Sequence, residues 1–308
     1  MSGADAAARL ERILAELTAR GFGEPAGEPE PLDGGITNRN YRVRLGERDV
    51  VLRLPGDGTE LLGIDRDAEC EATEAAACAG VGAPFVAFVE GERCLVTQFI
   101  AGRPLQDGEL QTEACVGDVA RALRAFHAGP PLRAVFDPFR IVERYAATAR
   151  ERGAALPPAF ETAAAAAREL EPLVQGGEHA PVPCHNDLLA ANLLHDGERV
   201  RIVDWEYAGM NDRYFDLANL SVNNGFGAGD DDRLLAAYFG APPTDARRAA
   251  LGVMKVMSDF REAMWGAVQS AVSSLDVDFE AYAREHFERL ERTVAAPAHQ
   301  EHLAVLRA

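Results

Sequence analysis

Apolar positions recur at helical spacing near the start of the chain, where Leu10, Ile13, Leu14 and Leu17 share one face of "MSGADAAARLERILAELTARGFG". Spacing by threes and fours is the mark of an amphipathic helix. "GEPAGEPEPLDGG" then interrupts it with Pro and Gly, as turn regions do. "ITNRNYRVRL" and "RDVVLRLPG" are rich in β-branched and apolar residues, and the "GE" between them predicts a hairpin. "DRDAECEATEAAACAG" predicts a helix ended by Gly80. "APFVAFVEGERCLVTQFI" predicts two further strands around "EGE". The first hundred residues therefore read as mostly antiparallel sheet with one inserted helix.

The pattern then changes. A helix is expected from Thr112 to His127, and "RIVERYAATARERGAAL" and "PPAFETAAAAARELEPLV" predict two more. Short strands are expected at "PVPCH", "NLLHD" and "RVRIVD", after which the chain is helical to its end, with "RRAALGVMKVMSDFREAMWGAVQSAVSSL" the longest helix. A sheet-rich lobe over residues 1–101 followed by a helical lobe over 102–308, with a cleft between them, is the expected organisation. The boundary falls near "FIAGRPL", where Gly102 and Pro104 break the pattern.

Composition narrows the partners. The chain has 308 residues, 47% apolar and 26% charged, the profile of an ordinary globular protein. A formal net charge of −18 disfavours nucleic acid or an anionic membrane and would welcome a cationic substrate, although solubility alone accounts for it equally well. The five cysteines, Cys70, Cys78, Cys94, Cys115 and Cys184, are odd in number and lack metal-ligand spacing, so reduced thiols in a cytoplasmic protein are expected. The N-terminus lacks the basic start and apolar run of a signal peptide, no segment approaches a membrane span, and there is no internal repeat. A homodimer stays open.

"CHNDLLAANLLHDGERVRIVDWEYAG", residues 184–209, sets His185, Asp187, Asn192 and Asp204 between short apolar runs. Such residues can simply form turns. Phosphoryl transfer is the alternative: it needs a carboxylate to orient the attacking hydroxyl and oxygen ligands for Mg²⁺. An Asp, an Asn five residues on, and a second Asp at a strand end supply these in order. The set resembles the kinase-like phosphotransferases, the group of choline/ethanolamine kinases and aminoglycoside phosphotransferases. Their catalytic loop, H-x-D-x-x-x-x-N, stands complete as "HNDLLAAN", and their metal segment is similar to "VDWEYAG". The resemblance implies a two-lobed, protein-kinase-like α+β fold, with a small antiparallel-sheet lobe and a larger, mainly helical one, and ATP and Mg²⁺ as cofactors. It makes Asp187 the catalytic base, and Asn192 and Asp204 the metal ligands. His185 is expected to hydrogen-bond the loop backbone.

The nucleotide belongs in the small lobe. Gly34 and Gly35 in "DGGITNRNYRV" either form an ordinary hairpin turn or let backbone N–H groups approach phosphates. The segment is similar to the G-G-x-[ST]-N phosphate loop of choline kinases, which brings in Thr37 and Asn38. Lys255 is the single lysine and lies far along the helical lobe, so the strand cation is Arg53 in "VVLRLPG", as in choline kinases, unless it faces solvent. Its carboxylate partner is expected to be Glu69, with Glu71 the alternative. "LVTQFIAGR" resembles the hinge, where adenine would meet backbone near Gln98 and Ile100.

"WEYAGMNDRYFDLANL" and "WGAVQSAVSSLDVDFEAYAREHF" resemble choline/ethanolamine kinase segments, and the likeness runs from Gly34 to about Phe287. A quaternary ammonium has no N–H, so a site must use aromatic faces and carboxylates. Trp265, Tyr214 and Tyr282 are the candidate walls, or else core residues, and Glu206, Asp216 and Glu262 the candidate counter-charges. Animal choline kinases carry a second tryptophan one turn before the one matching Trp265; here that position is Glu262. The expected activity is ATP-dependent phosphorylation of a small cationic amino alcohol, choline first. Ethanolamine and aminoglycosides remain alternative acceptors, and a catalytically inactive ligand-binding protein or a metal-dependent hydrolase are alternatives of other classes.

Overall fold

The computed structural model describes residues 3–32, 38–56, 59–106, 108–273 and 275–308. Helix α1 (Gly3–Ala19) buries Ile13 and Leu17 against a five-stranded sheet. The sheet is antiparallel throughout: β1 (Glu30–Leu32), β2 (Asn38–Leu45), β3 (Arg48–Pro55), β4 (Phe85–Val89) and β5 (Cys94–Gln98), in the order β1-β2-β3-β5-β4. Val43, Leu45, Val50, Leu52 and Leu54 alternate onto the α1 face, which is why these segments hold register as strands. β1 lies in the region expected to be a turn. It pairs with β2 alone, and Pro31 is tolerated because an edge strand can spare one donor.

Helix α2 (Arg66–Cys78) crosses behind the sheet. Asp65 caps it by accepting from the N–H groups of Asp67 and Ala68, and Gly80, at φ +72°, turns the chain out of it. Ala72 and Ala76 of α2 join the core of the second lobe, so α2 faces both lobes.

β6 (Arg103–Pro104) already pairs with strands of the second lobe: β8 (Leu193–His195) lies between it and β9 (Val200–Ile202). β7 (Val182–Cys184) pairs with β10 (Gly209–Asn211). Helices α3 (Glu113–His127), α4 (Pro138–Glu151), α5 (Ala159–Leu170), α6 (Arg213–Asn223), α7 (Ala228–Phe239), α8 (Asp245–Val272), α9 (Phe279–Ala295) and α10 (Pro297–Arg307) enclose these strands. α8 is the central helix, packed on α4, α6, α9 and α10. Residues 256–264 of α8 are buried all round, as a helix inside a bundle must be. Among the described residues, no helix is long and apolar enough to cross a membrane.

Candidate active site

A cavity of about 700 Å³ opens between the sheet and the β7–β10 strands. Its floor is the segment between β7 and β8. Asn186 holds φ +69° there and Asp204, after β9, also holds φ +69°; such backbone strain in non-glycine residues persists where surrounding bonds enforce it. The enforcing bonds are visible. Asn186 Nδ2 donates to the Tyr207 carbonyl (3.0 Å), and Asn211 Nδ2 donates to Asn186 Oδ1 (2.8 Å). The Val203 N–H donates to the Asn192 carbonyl (3.0 Å).

His185 is fully buried and braces the floor from beneath. Its Nδ1 accepts from the Asp187 N–H (3.2 Å) and its Nε2 donates to the Val203 carbonyl (3.0 Å), the pattern of a neutral ring. Burial lowers its pKa, in keeping with that form.

Asp187 lies at the cavity wall and is 9% exposed. Burial pushes its carboxyl up to about 7, against the opposing pull of Arg261. Asn192 Nδ2 donates to the Asp187 carbonyl (2.9 Å), which commits the amide nitrogen and leaves Oδ1 as the atom that could hold a metal ion. Arg53 Nη1 donates to Asp204 Oδ1 (2.5 Å) and to Glu69 Oε1 (2.9 Å), so α2 supplies Glu69 to the strand arginine. Glu71 instead accepts from Arg133 outside the cleft. Burial acts to raise the Asp204 pKa, but the charge and hydrogen bond of Arg53 outweigh it and hold the carboxyl below its ordinary range. Gln98 and Ile100 line the cavity at the hinge. The Gln98 N–H is taken by the Pro84 carbonyl (2.8 Å), and the Ile100 carbonyl accepts from Gly102 (2.8 Å). Gly34, Gly35 and Thr37 lie outside the described residues.

Several expectations need correction. Asp216 is not at the cleft. It is fully buried beneath the floor and accepts from the N–H groups of His185 (2.7 Å) and Asn186 (2.6 Å) and from His127 Nε2 (3.0 Å). Tyr214, on the same first turn of α6, points away from the cleft, donates to Glu178 (2.6 Å) and packs against His179 and Phe239. The rotation of α6 about its axis, fixed by packing on α8, takes both out of reach of a ligand. Glu206 lines the cavity, but its carboxylate is engaged from the sheet side. Asn38 Nδ2 donates to it at 2.7 Å and Arg66 Nη1 at 3.4 Å, and Arg66 also donates to Glu69 (2.7 Å). It therefore ties the lobes together near the Arg53 group.

At the other end, Trp265 and Tyr282 are half-buried cavity residues with rings 5.5 Å apart and nearly perpendicular. Trp265 Nε1 donates to the Tyr207 hydroxyl (3.0 Å), so Tyr207 forms a third aromatic wall. Glu262 is buried and accepts from Tyr282 (2.9 Å), Asn219 (3.1 Å) and Arg261 (2.7 Å). Tyr207 and Arg261, which line the cavity, and Arg66, which backs Glu69 and Glu206 there, are residues that sequence reasoning passed over. A charged pair, Arg261–Glu262, within the apolar run of α8 was the available signal.

Residues 28–251 match the model of the Phosphotransferase enzyme family. A solved structure of a choline/ethanolamine kinase family protein from Mesorhizobium loti superposes with a TM-score of 0.81 at 30% identity, over 97% of this chain and 99% of that one. The chain belongs to the choline/ethanolamine kinase family of phosphotransferases. The Probable choline kinase 2 of Arabidopsis thaliana is 23% identical over 88% of this chain and 87% of its own. Protein LicA of Haemophilus influenzae is 26% identical over 67% of this chain, and the match spans 61% of that protein.

Proposed function

We propose that the chain transfers the terminal phosphoryl group of ATP to the hydroxyl of a small amino alcohol. One observation carries this reading: Asp187, Asn192 and Asp204 share a cavity with the Arg53–Glu69 pair at one end and with Tyr207, Trp265 and Tyr282 at the other. The Asp204 carboxylate and the Asn192 amide oxygen are the hard donors that Mg²⁺ takes, completed by phosphate oxygens. Magnesium held there would neutralise charge on the transferring phosphoryl group. Arg53, ionised and steadied by Glu69, meets the nucleotide phosphates from the sheet side. Asp187 orients the acceptor hydroxyl. The hydroxyl oxygen bonds to the terminal phosphorus, the bond from that phosphorus to the bridging oxygen breaks, ADP leaves, and the hydroxyl proton passes to the Asp187 carboxylate. The Asp187 pKa of about 7 suits a group that must gain and lose a proton near neutrality.

Choline and ethanolamine, the substrates in the family's name, are the reference acceptors. A coupled ADP-release assay over both, plus an aminoglycoside, with and without Mg²⁺, tests the proposal. Magnesium-dependent turnover of an amino alcohol is the expected result. Turnover of the aminoglycoside alone, or no acceptor-dependent ADP release at all, would refute it.

A further inference from the structure

Asp187 lines a cavity of about 700 Å³, where a carboxylate has room to change rotamer unless something holds it. Arg261, buried on α8, donates from Nη1 to Asp187 Oδ1 (3.0 Å) and to Glu262 Oε1 (2.7 Å). Asn219, fully buried on α6, accepts the Leu188 N–H on Oδ1 (2.5 Å) and donates from Nδ2 to the same Glu262 oxygen (3.1 Å). Leu188 is the residue after Asp187, so these bonds close a ring. It runs from the loop backbone to Asn219, to Glu262, to Arg261, and back to the Asp187 side chain. Backbone and carboxylate are thereby set against one frame built from α6 and α8. The Tyr207 ring backs the guanidinium, with its centre 4.4 Å from the guanidinium carbon.

The ring makes the two Asp187 oxygens unlike. Oδ1 is tied to Arg261, while Oδ2 takes no hydrogen bond from the described residues. The ring also spends Glu262. Its Oε1 accepts from Arg261 and Asn219 and its Oε2 from Tyr282 (2.9 Å), which fills three of the roughly four acceptor sites of a carboxylate. Its charge is met by the guanidinium beside it. A buried carboxylate so engaged has little left for a substrate cation.

We infer that Arg261 and Glu262 are positioning residues for the transfer step: with Asn219 they fix the Asp187 side chain so that Oδ2 receives the acceptor hydroxyl, and Glu262 is not the counter-charge of the substrate. This rests on the reading of the cleft as a kinase for a small alcohol and deepens it.

The test measures kcat with MgATP and either choline or ethanolamine. Acceptor Kd is measured by calorimetric titration with Mg²⁺ and a non-hydrolysable ATP analogue. Arg261→Met should lower kcat by roughly ten- to a hundredfold with both acceptors, the loss that a misplacement of about 1 Å brings, with acceptor Kd within about threefold of wild type. That variant leaves two buried carboxylates facing each other, so the double variant Arg261→Met/Glu262→Leu is made beside it. Replacing a buried ion pair by apolar groups of similar size is often tolerated, and the same kcat loss should appear. Glu262→Gln can keep all three partners, with the Tyr282 hydroxyl accepting in place of donating. Its kcat and acceptor Kd should both stay within about fivefold of wild type. A rise of about tenfold or more in the acceptor Kd of Glu262→Gln, with kcat unchanged, makes Glu262 the counter-charge; it overturns the inference and leaves the kinase reading intact. A kcat within about threefold of wild type in the folded double variant also overturns it. Absence of acceptor-dependent turnover in the wild type removes the kinase reading and this inference with it.

Discussion

Asp216→Asn separates a brace of the catalytic floor from a substrate contact. The carboxylate accepts three N–H groups: Oδ2 takes His185 (2.7 Å) and His127 (3.0 Å), and Oδ1 takes Asn186 (2.6 Å), all with no solvent contact. An asparagine can keep its oxygen on only one side. With the oxygen toward His185 and His127, two charge-assisted bonds become neutral ones, each losing about 0.5–1 kcal/mol. The Asn186 N–H then faces an NH₂ group and is left unsatisfied, which costs about 1–3 kcal/mol more. The total is about 2–5 kcal/mol, overlapping the range for breaking a buried ion-paired network. With an unfolding entropy of roughly 2.1 cal/mol/K per residue, this lowers the melting temperature of a chain this long by about 3–8 °C. Asn186 also loses its anchor at φ +69°, so Asp187 wanders and kcat falls. Differential scanning calorimetry and steady-state kinetics on the purified variant measure both. A melting temperature within about 1 °C of wild type, joined to a tenfold rise in acceptor KM alone, would show that Asp216 touches substrate and that the brace is wrong.

Asp187→Asn should lower turnover by roughly 10²–10⁴-fold with ATP affinity little changed, as read by single-turnover kinetics and calorimetric titration. The same variant carries a pH signature in the free protein. The folded carboxyl, at about 7, lies above its ordinary 3.8, so its contribution to stability is full below about 3.8 and lost as pH rises to about 7. The variant should therefore melt with wild type at about pH 4 and above it at about pH 8; the opposite order would place a stabilising charge at Asp187. Asp204→Ala should abolish activity and Asn192→Ala should raise the Mg²⁺ concentration needed for half-maximal rate, and unchanged magnesium titrations in both would take them out of the metal site. Trp265→Ala should raise acceptor KM by about five- to thirtyfold with a smaller effect on KM for ATP. Equal effects on both would mean that the ring only supports the cleft.

Local pattern was enough for most elements, β1 excepted, and for the order of the chemistry. Period-two alternation in residues 38–55 and helical periodicity in α1 and α3 follow from short-range geometry, so they could be read without tertiary knowledge. The H-x-D-x-x-x-x-N spacing is likewise local, because one loop carries the whole set. What only the packed chain decided is which face each helix presents. Whether Glu69 or Glu71 meets Arg53 depends on the rotation of α2, set by Ala72 and Ala76 entering the core of the second lobe. The same holds for α6, whose packing on α8 sends Asp216 beneath the loop and Tyr214 toward Glu178. Arg261 meets Asp187 across 74 positions of sequence, and the pairing exists because α8 runs through the centre of the helical lobe. A contact of that range is fixed by burial and charge balance in three dimensions, and a buried arginine in an apolar run announces only that some partner must be found.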